Sequence, residues 1–285
     1  MPKIGIIGGT GVYNPERFEL KEKVFPDTPF GKPSDEILIG KINGVEVAFL
    51  PRHGNNHQYP PSSVPYRANI YALKKLGVEI IVSPCAVGSL REDYVPGDMV
   101  IVDQMIDFTK KRDYTYFMDS TVHMAMPEPF CPQVSKVFDE CAKEMGIPYH
   151  MGGAYVCIEG PRFSTRAESR MFRILGGDLI GMTLVPECQL AREAGMCYCS
   201  LATITDYDAW KEETVTMEMV VKTMAECLDK ICRILELALP RLEGLPACSC
   251  IDEPIASGAI EGFNKILGLF RELSRSSLNK DSERI

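Results

Sequence analysis

The stretch Ile4-Gly5-Ile6-Ile7-Gly8-Gly9-Thr10-Gly11 opens the chain's regular structure, and its reading sets the rest. Four residues, three of them isoleucine, form a short apolar run of strand length. The glycines that follow let the backbone turn tightly and bring N–H groups close to an anion. The pattern is neither Gly-x-Gly-x-x-Gly nor a P-loop, since no Gly-Lys-Ser/Thr follows. Alone it fits a bland strand-to-loop turn equally well. A buried strand at the very start nonetheless predicts a sheet covered on both faces.

Working outward, Ile37 to Ile42 and Val45 to Leu50 flank Asn43-Gly44, a type I′ hairpin signal. Strands are expected at Ile80 to Pro84, Met99 to Asp103, Ala154 to Ile158, Leu179 to Met182 and Cys197 to Thr205. Helices are expected at Tyr66 to Leu76 before Gly77, Val134 to Met145 before Gly146, Arg166 to Leu175 before Gly176, and Val185 to Ala194 before Gly195. A long amphipathic helix fits Thr216 to Leu239, closed by Pro240. Alternating strands and helices predict a single α/β domain with a mixed, largely buried sheet. The domain is expected over residues 1–245. The tail, 246–285, is a C-terminal extension in which Gly258 to Leu273 could form one more helix and Ser274 to Ile285 is polar.

The 285 residues are 45% hydrophobic and 25% charged, ordinary for a globular protein. The net charge of −8, with only Lys110-Lys111-Arg112 as a basic run, argues against a nucleic-acid partner. No apolar run reaches the ~18 residues of a membrane span, and the N-terminus lacks signal-peptide features. A cytoplasmic location is therefore expected. Most of the eleven cysteines lie in apolar contexts and read as small hydrophobes in a reducing compartment. No Cys-x-x-Cys pair occurs, so a structural zinc site is not expected.

Chemistry concentrates at strand ends. Arg52-His53-Gly54 follows one strand, Ala86-Val87-Gly88-Ser89 a second, and Met182-Thr183 a third. Arginine offers a fixed fork of donors suited to phosphate. Open α/β sheets place ligands beyond strand ends. If the ends meet, they form an anion cradle. Glu159 to Ser164 places Phe163 where it could stack on a flat ligand or plug the core. Thr205-Asp206-Tyr207-Asp208 ends another strand, and in extended chain its two carboxylates point the same way. Such a pair repels itself unless cations or ligand donors relieve it. By itself it fits a divalent metal site, a capped loop or a base-reading pair.

Together these segments resemble the methylthioadenosine phosphorylases of the trimeric purine nucleoside phosphorylase family, from about Lys3 to Leu239. Besides Ile4 to Gly11, the resemblance is carried by Thr28-Pro29-Phe30-Gly31-Lys32-Pro33-Ser34, Gly88-Ser89-Leu90-Arg91-Glu92, Glu128-Pro129-Phe130-Cys131-Pro132, Glu159 to Ser164 and Thr205 to Asp208. It implies a nucleoside phosphorylase fold: one α/β domain whose central mixed sheet is partly barrel-like and flanked by helices. It also implies trimers or dimers of trimers. The implied activity is phosphorolysis of 5′-methylthioadenosine to adenine and 5-methylthioribose 1-phosphate, with phosphate as co-substrate and no cofactor or metal.

The resemblance assigns Thr10, Arg52, His53, Cys85, Ala86 and Thr183 to phosphate, Met182 to the ribose, and Asp206 and Asp208 to the purine. Ser164 and Met217 fall where substrate choice is tuned, and His123 in a segment that a neighbouring subunit lends to the site. Met217, Val220 and Val221 share one helix face that could receive a methylthio group or simply be core.

Departures from the family pattern are Cys85, where many relatives carry a hydroxyl, and Gly181, where some have Asn. Some archaeal relatives carry a Cys-x-Cys near the C-terminus that can be disulfide-linked. Cys248-Ser249-Cys250 matches it, with two free surface thiols as the other reading.

Burial beside Asp208 would raise the Asp206 pKa and suit it as general acid at purine N7. A carboxylate also favours a 6-amino over a 6-oxo purine, because it accepts the amino hydrogen bond. Competing expectations are phosphorolysis of methylthioinosine, adenosine, inosine or guanosine, a hydrolase, and a binding protein without catalysis.

Overall fold

The computed structural model describes residues 2–9, 17–212 and 215–268. The first half contains β1 (Ile4–Gly8), β2 (Glu19–Val24), β3 (Ile37–Ile42), β4 (Val45–Pro51), α1 (Tyr66–Lys75), β5 (Ile80–Ser89), β6 (Met99–Ile101), β7 (Gln104–Phe108) and α2 (Pro132–Met145). The second half contains β8 (Tyr149–Met151), β9 (Ala154–Ile158), α3 (Arg166–Ile174), β10 (Leu179–Gly181), α4 (Leu184–Glu193), β11 (Cys197–Asp206), α5 (Met217–Glu243) and α6 (Asp252–Ala256). A further helical segment covers 259–268.

Among the described residues, eleven strands form one mixed sheet. Its main path runs β2-β3-β4-β1-β5-β10-β9-β7, and β11, β6 and β8 branch from β5. The sheet does not close on itself. Strand alternation assigns its two faces. Ile4, Ile6, Ile80 and Val82 point into a core shared with α2 and α5. Ile7, Leu50 and Ile81 point the other way, into a core shared with α1 and α4.

The branch at β5 matters most for function. β1 pairs with β5 only at Ile80 to Val82, and β10 only at Gly88 and Ser89. Between them, residues 83–87 have no strand on that side among the described residues. On the opposite side β11 runs parallel to β5 as far as Gly88. The expected strand to Pro84 therefore continues to Ser89, because β11 supports its whole length. Cys85 to Ser89 lie in the strand, not beyond it.

The Asn43-Gly44 hairpin forms as expected, with φ of 48° and 80°. Pro240 does not stop α5, which continues to Glu243. A proline withholds the N–H that would bond the carbonyl four residues back, here Glu236. The Asn43 side chain supplies the replacement, donating Nδ2–H to the Glu236 carbonyl at 2.9 Å.

Strands β2, β7 and β8 carried no usable sequence signal. β2 reads Glu-Leu-Lys-Glu-Lys-Val and is almost wholly exposed, so its only support is the ladder to β3. Charged residues on such an edge discourage pairing with other chains.

The C-terminal extension packs into the same core. Phe263 is fully buried, its ring 5.6 Å from Tyr71 and 4.8 Å from Tyr116. The expected helix from Gly258 to Leu273 is found over 259–268, and the rest lies outside the described residues. Among the described residues no helix is long and apolar enough to cross a membrane.

Candidate active site

Four parallel strands, β1, β4, β5 and β11, send their C-terminal ends to one side of the sheet. The sequence-predicted residues gather there. Thr10 lies outside the described residues.

Arg52 follows β4 directly. Its side chain is buried, and its guanidinium is held bidentate by Glu187, Nε to Oε2 at 2.7 Å and Nη2 to Oε1 at 3.0 Å. Nη2 also donates to the Ile7 carbonyl and the Ser83 hydroxyl. Burial alone would lower the Arg52 pKa, but Glu187 outweighs it and the net shift is upward. Ser83 and Tyr198 hydroxyls donate to the same Glu187 oxygen at 2.9 and 2.8 Å. Nη1 meets only the Pro84 carbonyl, at 3.5 Å, among the described residues. A guanidinium has five N–H groups, so a donor on Nη1 remains for an anion.

Pro84 directs its carbonyl into the gap beside β5. A strand residue points its N–H and C=O to the same side, and the side alternates along the chain. Ala86 therefore presents its N–H to the gap. Cys85 lies between them, half-buried, with Sγ 3.5 Å from the Ser200 hydroxyl. Burial pushes its thiol pKa up, so it stays protonated and can act only as a weak donor.

His53 is fixed by a 2.8 Å contact between Nδ1 and the Tyr59 carbonyl. A carbonyl only accepts, so Nδ1 carries the hydrogen, and Nε2 has no partner among the described residues. Burial, then the Arg52 charge, lowers the His53 pKa. The ring is neutral at pH 7 and offers Nε2 to a protonated oxyanion.

Thr183 stands just past β10 at the N-terminal end of α4, which is kinked at Val185; its side chain makes no capping bond, and its N–H reaches the Tyr155 hydroxyl at 3.4 Å. That hydroxyl also fills the space beside Gly181, where a Cβ would sit 1.9 Å from it. An Asn at 181 would have to displace Tyr155. Met182 packs against the backbone of Gly160, on the loop that carries Phe163. That loop is pinned by buried Arg112, which donates to the Ile158 and Glu159 carbonyls and to the Glu159 carboxylate. The basic run noted in the sequence thus contributes a buried structural clamp.

Asp206 and Asp208 are both buried. They meet by a turn, not by the extended alternation expected: the strand ends at Asp206, and Asp208 adopts φ of 49° at the start of a 3₁₀ turn. The Asp208 N–H donates to Asp206 Oδ1 at 2.8 Å, and the Thr205 hydroxyl to Oδ2 at 2.7 Å. Gly88 makes room, since a Cβ there would lie 2.8 Å from Asp206 Oδ1. Desolvation raises the Asp206 pKa, with Asp208 adding to it and the two hydrogen bonds opposing it. Desolvation also raises the Asp208 pKa. Asp208 Oδ2 and the Ser164 hydroxyl are buried with no hydrogen-bond partner among the described residues.

The cationic and acidic ends are set by one strand. Arg52 contacts Pro84, and Asp206 pairs with Gly88. Four strand residues separate them by about 13 Å, room for an anion and a nucleoside end to end.

Other expected residues are less engaged. Met217 is 62% exposed at the start of α5 and Val221 59% exposed one turn on. His123 is exposed in a segment without regular structure and bonds to none of the site residues.

Sequence reasoning missed Glu187, Ser83 and Tyr198, which hold Arg52. Glu187 had a readable signal: one acid flanked at helical spacing by Leu184, Leu190 and Ala191 belongs to a buried face and needs a cation.

Comparison with known proteins gives this geometry a class and then a family. The phosphorylase superfamily's model matches residues 3–240. The chain is 57% identical over 253 residues to the S-methyl-5′-thioadenosine phosphorylase of Pyrococcus horikoshii, covering 88% of this chain and 97% of that one. It is 58% identical over 253 residues to that of Thermococcus kodakarensis, with the same coverage. Among solved structures, methylthioadenosine phosphorylase from Schistosoma mansoni in complex with adenine superposes with a TM-score of 0.86 at 38% identity, covering 92% of this chain and 98% of that one. A methylthioadenosine phosphorylase from an antarctic soil metagenomic library gives 0.83 at 45% identity, covering 88% and 90%. Fold and site define an enzyme of the nucleoside phosphorylase class, a pentosyltransferase. The chain belongs to the phosphorylase superfamily.

Proposed function

We propose that this enzyme cleaves 5′-methylthioadenosine with inorganic phosphate, giving adenine and 5-methylthioribose 1-phosphate. The observation that carries the reading is the pair of buried carboxylates, Asp206 and Asp208, facing Arg52 along one strand. The relatives named above supply the substrate.

Phosphate enters the gap beside β5. Arg52 Nη1, the Ala86 N–H and the Thr183 end of α4 donate to it, joined by Thr10. His53 accepts from a protonated phosphate oxygen, and the Cys85 thiol adds a weak donor. The cradle offsets phosphate charge without neutralising it, so the bound oxyanion stabilises positive charge developing on the ribose. Met182 orients the ribose, and Phe163 lies against the base.

The N9–C1′ bond breaks as a phosphate oxygen bonds C1′. The electron pair from that bond passes into the purine, which is neutralised by a proton at N7. Asp206 delivers it: an ordinary carboxyl, with a pKa of about 3.9, would be ionised at neutral pH, but burial beside Asp208 favours its protonated form. Asp208 accepts from the exocyclic amino group, which satisfies its bare Oδ2. Ser164 and Met217 tune the pocket, with Met217, Val220 and Val221 receiving the methylthio group. His123 comes from a neighbouring subunit of a trimer or dimer of trimers. The enzyme acts in the cytoplasm, as a phosphorylase domain over 1–245 with an extension over 246–285.

The test is a release assay across methylthioadenosine, adenosine, methylthioinosine and inosine, each with and without phosphate. Expected is phosphate-dependent adenine release, with KM lowest for methylthioadenosine and poor turnover of both 6-oxopurines. Adenine release without phosphate, or equal kcat/KM on inosine, overturns the reading.

A further inference from the structure

At the opposite end of β11 from Asp206 lies a second cluster with its own chemistry. Cys197 begins that strand, Cys131 immediately precedes α2, and Cys248 and Cys250 follow α5. Their four sulfurs lie within 4.8 Å of one another. Cys131 Sγ is 3.4 Å from Cys248 Sγ, which is 3.2 Å from Cys250 Sγ. All four are free thiols, Cys131 buried and the others half-buried. They line one cavity of about 230 Å³.

We propose that Cys131, Cys197, Cys248 and Cys250 form a tetrathiolate site for a zinc-like divalent ion that ties the C-terminal extension to the catalytic body. A Zn–S bond of ~2.3 Å in tetrahedral geometry sets sulfur–sulfur edges of ~3.8 Å. The Cys131–Cys248 and Cys248–Cys250 separations fall a few tenths of an ångström short of that value and every pair lies within 4.8 Å, so the site closes with small sulfur movements. The ligands come from three segments that are already fixed by the fold. Spacing could not reveal them, because only the Cys248–Cys250 pair is local.

The surroundings suit the charge. Four thiols lose four protons on binding, and the ion keeps its charge, leaving a dianionic centre. Lys3 and Lys74 line the same cavity. They are anchored through Nζ to the Leu245 and Gly195 carbonyls. The Cys250 N–H donates to Cys248 Sγ at 3.5 Å, a bond that orients a thiolate ligand.

Four protein sulfurs fill a tetrahedral shell, so the ion is structural and offers no open position to substrate. Nine residue steps along β11 put it about 30 Å from Asp206. Its effect is on the tail: it cross-links residues 131 and 197 to 248 and 250, beside the helical segment that buries Phe263.

The experiment uses the full chain, reduced and freed of metal, titrated with cobalt(II). Expected are thiolate-to-cobalt charge-transfer bands and tetrahedral d–d bands that saturate at one cobalt per chain and vanish on adding zinc. The double variant Cys248→Ser/Cys250→Ser should lose the bands, while Cys141→Ser, outside the cluster, keeps them. Chelation should lower the Tm of the wild type and leave the rate of adenine release at moderate temperature unchanged. No cobalt spectrum in the reduced wild type overturns the proposal, as does a spectrum that survives in the double variant. So does a protein purified from zinc-containing, reducing medium that holds no metal and has these four sulfurs in disulfides. The wild-type titration decides even if the double variant does not fold.

Discussion

The Asp206 carboxyl has two protein donors, and both favour its charged form. Desolvation nonetheless prevails and raises its pKa. The sign of the pH effect follows. A general acid must hold its proton, so adenine release should fall as pH rises through the raised Asp206 pKa. Asp206→Asn should lower kcat by about 10²–10⁴-fold and abolish that alkaline limb. A variant with wild-type kcat and pH profile would remove Asp206 from the acid role. Glu187 acts one step back, through Arg52. Glu187→Ala strands a buried guanidinium, and breaking such a pair typically costs about 3–5 kcal/mol. Thermal unfolding should show that loss, and KM for phosphate should rise more than KM for nucleoside. An unchanged phosphate KM would mean that Glu187 only supports the fold. The two ends of the site were not equally legible. Asp206 stood out because two carboxylates in one short segment demand an explanation. Glu187 was less legible: its apolar flanks mark a buried acid that needs a cation, but that cation is distant in sequence.

At the scale of elements, the parallel strands announced themselves through apolar runs and the glycines beyond them. The length of β5 did not, since its second half is held by β11 rather than by its own apolar pattern. Exposed β2 was illegible for the opposite reason: no buried face disciplines its sequence. The end of α5 was misread because a proline usually ends a helix, and the remedy lies in a hairpin almost two hundred residues earlier. Asn43→Gly keeps a residue at ease with positive φ and removes only the side-chain donor. It should cost about 0.5–1.5 kcal/mol in denaturant unfolding, and much less in a Pro240→Ala background. Equal costs in both backgrounds would show that the Glu236 carbonyl gains nothing from Asn43.

At the scale of the whole molecule, the class of fold was readable because every local signal agreed on alternating strands and helices. The branching of the sheet was not, since pairing partners are set by tertiary packing and leave no trace in any single segment. That branching is what opens the gap beside residues 83–87. The proposed neighbour contribution of His123 belongs to this scale too. The residue is exposed and bonds to none of the site residues within its own chain. Sedimentation should give a trimer or hexamer, and mixing His123→Ala subunits with Asp206→Asn subunits should restore activity at shared sites. A monomer with full activity would exclude that arrangement.

The bond from the Asn43 side chain to the Glu236 carbonyl also constrains history. A proline at 240 costs less where something else serves that carbonyl, whereas without the proline that service is dispensable. The two positions are therefore coupled, and the less costly order of substitution is Asn43 before Pro240. Once both are present, neither reverts alone on equal terms. Losing the proline costs nothing at this bond, whereas losing the asparagine does. A single hydrogen bond thus biases which substitutions the chain tolerates at these two positions, and in what order.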